Sequence, residues 1–256
     1  MNHDTALEYL NRIGTPLPSA PTSEVLRELQ VRHLRTVPFE NLSIHLDEPI
    51  DLNETALMDK IVRRRRGGFC YELNGLFAGL LHALGFRVTL LAGKVFATDG
   101  KLGPPFDHLA LAVDLEERWL VDVGFGRFST YPLRLDATEP QADPSGEFRV
   151  VPTPEGDRDV HCDGTPQYRL ELRARALTDF LPTCWWQQTS PLSHFTRSLT
   201  CSLATANGRV TLSGNRLITT ANRERTETLL GDDAAIHDAY RTLFGFELSR
   251  LPTVRR

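Results

Sequence analysis

Hydrophobic spacing changes character once along this chain, near residue 86, and that change limits the possible folds more than any other feature. Before it, apolar residues recur at helical intervals. "TALEYLNRI" sets Leu7, Leu10 and Ile13 on one face, and "TSEVLRELQVRHL" repeats Leu26, Leu29 and Leu34 behind Ser23 as the expected N-cap. "NETALMDKIV" carries Leu57, Met58, Ile61 and Val62 behind Asn53, a second expected cap. The strongest stripe lies in "CYELNGLFAGLLHALG", where Leu73, Phe77, Leu80, Leu81 and Leu84 align and Gly85 supplies the stop. Beyond residue 86 the runs are short and β-rich: "RVTLLAGKVF", "HLALAVDL", "WLVDVGF", "EFRVVP" and "YRLELRA". Between the last two, "PTPEGDRDVHCDGTPQ" reads as a polar surface excursion, and residues 179–188 as a short helix or irregular link. "SLTCSLATANGRVTLSGNRLITT" reads as a meander with Asn207-Gly208 as a type I′ turn, and "DDAAIHDAYRTLFG" as a closing amphipathic helix. Helices first and strands later is the α+β pattern, not βαβ alternation.

Composition narrows the partners. The chain has 256 residues, 41% hydrophobic and 24% charged, enough to bury a sizeable core. A net charge of −4 leaves no footprint for nucleic acid or an anionic membrane, so neither is expected as a partner. No apolar run approaches the roughly 18 residues of a membrane-spanning helix. "MNHDTALEYLNRIG" lacks the basic start and apolar run of a secretory signal. Cysteines 70, 162, 184 and 201 show no CxxC spacing, which argues against a disulfide framework and a zinc site. The expectation is a cytoplasmic protein with reduced thiols and no metal.

Cys70 follows two glycines and precedes the best helix. A helix start aims unpaired N–H groups and a dipole at the sulfur, and both favour thiolate. Gly67 and Gly68 permit a tight backbone path beside it. Free cysteines are also among the most buried residues, so the local sequence leaves a packed core thiol and a nucleophile both open.

A thiolate nucleophile needs an imidazole to take its proton, and the imidazole needs an orienting acid. Of the eight histidines, His82 lies mid-helix, and His3, His161 and His237 sit in polar settings. His108 begins the strand "HLALAV", and Asp122 interrupts the apolar strand "WLVDVGFG", where a buried carboxylate must be paired to be tolerated. The two strands form a natural hairpin. A three-residue loop, Leu115 to Glu117, pairs Asp114 with Arg118 and makes His108 and Asp122 diagonal neighbours on one face. A two-residue loop places them on opposite faces. A purely structural carboxylate is the alternative for Asp122.

"RRGGFCYELN", "DHLALAV" and "LVDVGFG", with "VPFENL" at 37–42 and "SPLSHF" at 190–195, resemble the arylamine N-acetyltransferase family, in order and over nearly the whole chain. The resemblance implies a helical bundle over 1–85 carrying the nucleophile, a central antiparallel β-barrel over 86–188 carrying His and Asp, and a C-terminal α/β lid over 189–256. It implies a Cys70–His108–Asp122 triad that takes an acetyl group from acetyl-CoA as co-substrate, without metal. The acetyl group passes through an acetyl-cysteine to an arylamine or hydrazine, with ping-pong kinetics. Phe125 and Gly126 resemble family residues at the acyl and cofactor entrance; a bare turn at a strand end is the plainer reading of that glycine. The chain is expected to act as a monomer or weak homo-oligomer. It stops soon after "FGFELSR", which by the family pattern predicts a shortened lid. Two related activities fit the same residues: an amide synthase taking a larger acyl group, and a Cys-His-Asp hydrolase, against which the Asp-x-Gly-Phe-Gly block speaks. Glu40 is expected to pair with Arg64 or Arg65 and pin the loop before Cys70. The other arginines of 63–66 read as a solvated helix end, and Trp185 and Trp186 as core packing.

Overall fold

A computed structural model describes residues 1–222 and 224–254. Helix α1 (His3–Ile13) is capped by Asn2 and stopped by Gly14 at φ 68°. Its core face is Ala6, Tyr9, Leu10 and Ile13; Leu7, expected there, lies one position off the stripe and is 38% exposed. Helix α2 (Ser23–Thr36) is capped by Thr22, not Ser23, because the Thr22 hydroxyl accepts from the Val25 N–H at 3.3 Å. Strand β1 (Phe39–Glu40) and helix α3 (Leu42–His45) follow. Helix α4 (Glu54–Leu57), capped by Asn53 as expected, runs on as a π-helical turn over Met58–Arg63. Helix α5 (Cys70–Ala83) buries Leu73, Leu76, Phe77, Leu80 and Leu81, and Gly85 follows it at φ 88°.

Strands β2 (Arg87–Val95), β3 (His108–Asp114), β4 (Arg118–Val121), β5 (Leu133–Arg134), β6 (Gln141–Asp143), β7 (Gly146–Pro152), β8 (Arg158–Cys162) and β9 (Thr165–Arg175) make one antiparallel sheet. Its order is β5-β4-β3-β2-β9-β8-β7-β6, and it curls into a nearly closed barrel. Side chains span the seam. The Asp143 carboxylate accepts from the Thr130 and Tyr131 N–H groups at 3.0 and 2.9 Å, and Gln141 exchanges two bonds with the Arg134 backbone. Leu91, Ala110, Leu120, Phe148, Val150 and Tyr168 fill the interior. The other face of β2 and β3 packs on α5 through Ala92, Leu109, Leu111 and Val113. Buried on both faces, β3 has the unbroken apolar run seen in its sequence. Strand β8 lies inside the stretch expected to be a polar excursion. Only Val160 of its five residues is buried, so backbone pairing with β7 and β9 leaves little apolar signal.

A 3-10 turn (Leu177–Phe180) and helices α6 (Leu181–Thr189) and α7 (His194–Arg197) lead to a second sheet, consistent with the short helix expected there. That sheet runs β1-β10 (Cys201–Thr205)-β11 (Gly208–Ser213)-β12 (Arg216–Ala221)-β13 (Glu224–Leu229). Helix α8 (Asp233–Ala239) covers it, with Tyr240 and Phe244 in the shared core. The expected Asn207-Gly208 turn sits one residue earlier: Ala206 and Asn207 form the loop, and Gly208 already pairs with Thr205. A Cβ on Gly208 would lie 1.8 Å from the Thr220 carbonyl oxygen, so this glycine serves close strand approach. The architecture is α+β: helical bundle, barrel and α/β lid. No helix among the described residues is long and apolar enough to cross a membrane.

Candidate active site

The segment before α5 is clamped by contacts that no side chain larger than hydrogen could share. A Cβ on Gly67 would lie 1.8 Å from the Pro38 carbonyl oxygen, and one on Gly68 would lie 2.6 Å from Glu72 Oε2. The same Glu72 oxygen accepts from the Phe69 N–H at 3.2 Å, capping the helix, while Oε1 pairs with Lys60 at 2.7 Å. Glu40 is fully buried and pairs with Arg66 at 2.9 Å, not with Arg64 or Arg65 as expected. The reason is a reversal in the chain. Arg65 takes a left-handed backbone at φ 57°, leaving its own side chain exposed and the next one inside. Arg63 and Arg64 pair with exposed Glu8 and Asp59, so these arms are solvated as expected. Burial pushes the Glu40 carboxyl up, but Arg66, Lys60 and the Leu42 N–H outweigh it and hold it below the usual carboxylate range.

Cys70 is the first residue of α5 and 3% exposed. The β3–β4 hairpin has the three-residue loop: Asp114 pairs with Arg118 and Leu111 with Val121. His108 and Asp122 therefore share a face, and His108 Nε2 lies 2.7 Å from Asp122 Oδ2, both groups buried. With Nε2 committed to the acid, Nδ1 is the nitrogen left for a thiol. The Cys70 sulfur lies 4.0 Å from the carbonyl oxygen of Asp107, the residue before His108. A Cβ on Gly124 would lie 2.7 Å from Cys70 Cα, so glycine there lets the strand end close on the helix start.

Two residues of this network carried no expectation. Asn74, one helical turn beyond Cys70, donates to the Leu109 carbonyl at 2.6 Å and Asp122 Oδ1 at 2.9 Å, and accepts from the Val123 N–H at 2.9 Å. It ties α5, the end of β3 and the loop of Asp122 together. Its signal was available: an asparagine four residues after the cysteine, inside an apolar stripe. Tyr168 on β9 donates to Asp122 Oδ2 at 3.1 Å and sets its ring centroid 4.9 Å from that of His108. Nothing local in "YRLELRA" marks it. With the Gly124 N–H at 2.9 Å from Oδ1, Asp122 accepts four hydrogen bonds.

The N-acetyltransferase family profile matches residues 22–253. The chain belongs to the arylamine N-acetyltransferase family. It is 38% identical to an arylamine N-acetyltransferase / N-hydroxyarylamine O-acetyltransferase of Salmonella typhimurium, over 80% of this chain and 75% of that one. It is 35% identical to an arylamine N-acetyltransferase of Escherichia coli, over 93% and 87%. The solved Salmonella typhimurium arylamine N-acetyltransferase superposes with a TM-score of 0.90 at 32% identity, covering 96% of this chain and 92% of that one. A Mycobacterium marinum arylamine N-acetyltransferase solved in complex with CoA superposes at 0.86, with 34% identity and coverages of 94% and 92%.

In this member of the family, Cys70 and His108 open onto a cavity of about 860 Å³. Phe125 and Gly126 both line it. The Phe125 ring lies 5.1 Å from His108, and Gly126 turns at φ 87° against Phe39. Trp186 lines the same cavity, while Trp185 is 66% exposed, so neither is plain core packing. Burial pushes the Cys70 thiol well above its ordinary range; the Leu109 N–H pulls it down, and Asp107 and Asp122 push it further up. The lowering expected from a helix start is not the net effect. A lone anion is disfavoured here, and a thiolate is compensated only if its proton stays in the site as an imidazolium.

Proposed function

We propose that Cys70, His108 and Asp122 are a catalytic triad moving an acetyl group from acetyl-CoA to the nitrogen of an arylamine or arylhydrazine. The observation that carries this reading is the buried 2.7 Å His108–Asp122 bond, with His108 and the helix-start Cys70 lining one cavity. Nδ1 of His108 takes the Cys70 proton as sulfur attacks the thioester carbonyl. The bond to CoA breaks, the imidazolium proton passes to the departing thiolate, and acetyl-Cys70 remains. The amine nitrogen then attacks that carbonyl, and its proton returns through His108 to the Cys70 sulfur. Asp122 holds the ring in the tautomer with Nε2 protonated. A backbone N–H near Cys70 should stabilise the oxyanion, a contribution of about 3 kcal/mol.

In this reading residues 1–85 deliver the nucleophile, 86–188 the base and acid, and 189–256 cover the cavity. Phe125 and Gly126 shape the entrance for the acetyl and pantetheine groups. Four free cysteines suit a reducing cytoplasm, and the acting unit is a monomer or weak homo-oligomer.

Intact-mass spectrometry tests the order of events. Acetyl-CoA alone should add one acetyl group, lost in Cys70→Ala, with release of free CoA. An arylamine should then discharge it. Release of CoA only when amine is present would overturn the covalent route. Acylation confined to longer acyl groups would favour an amide synthase of the same fold.

A further inference from the structure

A second cavity, also about 860 Å³, lies where α2, the barrel end and β11 meet. Arg35, Arg127 and Arg209 line it, and Asp163 is the one acid lining it among the described residues. That aspartate already accepts from the Glu147 N–H at 2.8 Å. Arg209 donates to the Ser202 hydroxyl at 3.1 Å, and none of the three arginines has a carboxylate partner among the described residues. Burial pulls Arg209 down to about 10, and repulsion from Arg127 adds to it. Arg35 and Arg127 are exposed and Arg209 is half-buried, so the penalty of an uncompensated guanidinium falls on Arg209, and an anion between it and Arg127 offsets it.

We propose that this cleft binds a phosphate-bearing small molecule through Arg35, Arg127 and Arg209. Three cations against one acid match a dianion, whereas a single carboxylate leaves one guanidinium uncompensated. Guanidinium forks suit phosphate oxygens, and Thr130, Ser145 and Thr220 line the same space. Arg127 and Arg209 line the catalytic cavity as well, so an anion on them changes the charge at its wall. The site does not rest on the triad. Its phosphate has two possible sources: a separate phosphorylated molecule, or the phosphates of CoA reaching from the neighbouring cavity.

Titration of the full chain with inorganic phosphate at low salt, read by calorimetry, tests this. Saturable binding is expected, weakened about tenfold or more in Arg35→Gln and Arg209→Gln, with Arg209→Lys intermediate. CoA titrations separate the sources. If CoA displaces phosphate and Arg35→Gln weakens CoA by the same factor, the anion is the donor's own phosphate. If CoA and phosphate bind together and Arg35→Gln leaves CoA affinity unchanged, the ligand is separate. No saturable phosphate binding, or equal binding by wild type and both glutamine variants with native circular dichroism, would overturn the proposal.

Discussion

Replacing Asn74 by Ala should damage stability and turnover together. Asn74 is fully buried and makes three hydrogen bonds, to Leu109, Asp122 and Val123. Truncation strands the Val123 N–H, at about 1–3 kcal/mol, and takes a charge-assisted bond from Asp122, at about 1.5–3 kcal/mol. The total of roughly 3–6 kcal/mol is a large part of the ~5–15 kcal/mol that holds a typical fold. In a chain of this size it corresponds to a melting point lower by roughly 10 °C. These hydrogen bonds set the register of α5 against the aspartate loop. A displacement of about 1 Å there should slow acetyl transfer by roughly 100-fold. Urea unfolding and stopped-flow acylation read the two effects separately. Asn74→Asp keeps the shape and the acceptor for Val123 but sets a second carboxylate against Asp122, so it should be as slow or slower at neutral pH. If Asn74→Ala costs under about 1 kcal/mol and keeps acylation within about threefold of wild type, the bridging role is wrong.

Gly124→Ala should cost about 1–3 kcal/mol by overpacking, because its Cβ would fall 2.7 Å from Cys70 Cα; activity should fall further than thermal stability, as paired melting and rate measurements will show. Asp122→Asn should keep the fold but slow acylation by roughly 10³–10⁴-fold, since an amide N–H facing Nε2 moves the ring proton to Nδ1, where the thiol needs an acceptor; unchanged single-turnover rates would contradict this. Glu40 is held below its unfolded pKa, so it contributes stability above about pH 4.3 that is lost as pH falls through its folded value. Denaturant midpoints of Glu40→Gln across that acid range should therefore fall less steeply than those of wild type.

Much of the site was legible because it depends on short-range geometry. Hairpin parity follows from loop length: a two- and a three-residue loop both stood open in the sequence, and the observed three residues between Asp114 and Arg118 bring His108 onto Asp122. The helix start at Cys70 followed from where the apolar stripe begins. What escaped lies further off in sequence or in backbone detail. Tyr168 reaches Asp122 from β9, forty-six residues away, by a barrel curvature that no local pattern records. Arg66 displaces its neighbours as the partner of Glu40 through one left-handed residue, Arg65, with no glycine to announce it. The β8 strand is stabilised by ladders on both sides and needs only one buried side chain, so its composition reads as loop. Asn207-Gly208 signals a turn correctly but misplaces it, because Gly208 is required by the Thr220 carbonyl and not by a positive φ.

The four thiols show what distinguishes Cys70. Burial raises them all: Cys184 to about 12, Cys70 and Cys201 well above the ordinary range, and Cys162 less far. A depressed pKa therefore does not single out one cysteine. What does is the proton's destination. Cys201 lies beside the Glu40 carboxylate, which its pairing with Arg66 and Lys60 makes a poor proton acceptor, and Cys184 is bonded by the Gln188 amide, which is no base. Cys70 shares a cavity with an imidazole whose far nitrogen is held by a buried carboxylate. Moving the proton from sulfur to His108 keeps net charge in the site constant, so the burial that opposes a lone thiolate acts far less on the pair. In the proposed mechanism the same burial would shield the thiolate–imidazolium pair and the acyl-cysteine from water, favouring transfer over hydrolysis. The burial that opposes a free thiolate is thus compatible with nucleophilic chemistry, provided acid, base and sulfur stay in register. Asn74, Gly124 and the Gly67-Gly68 clamp are the residues that hold that register.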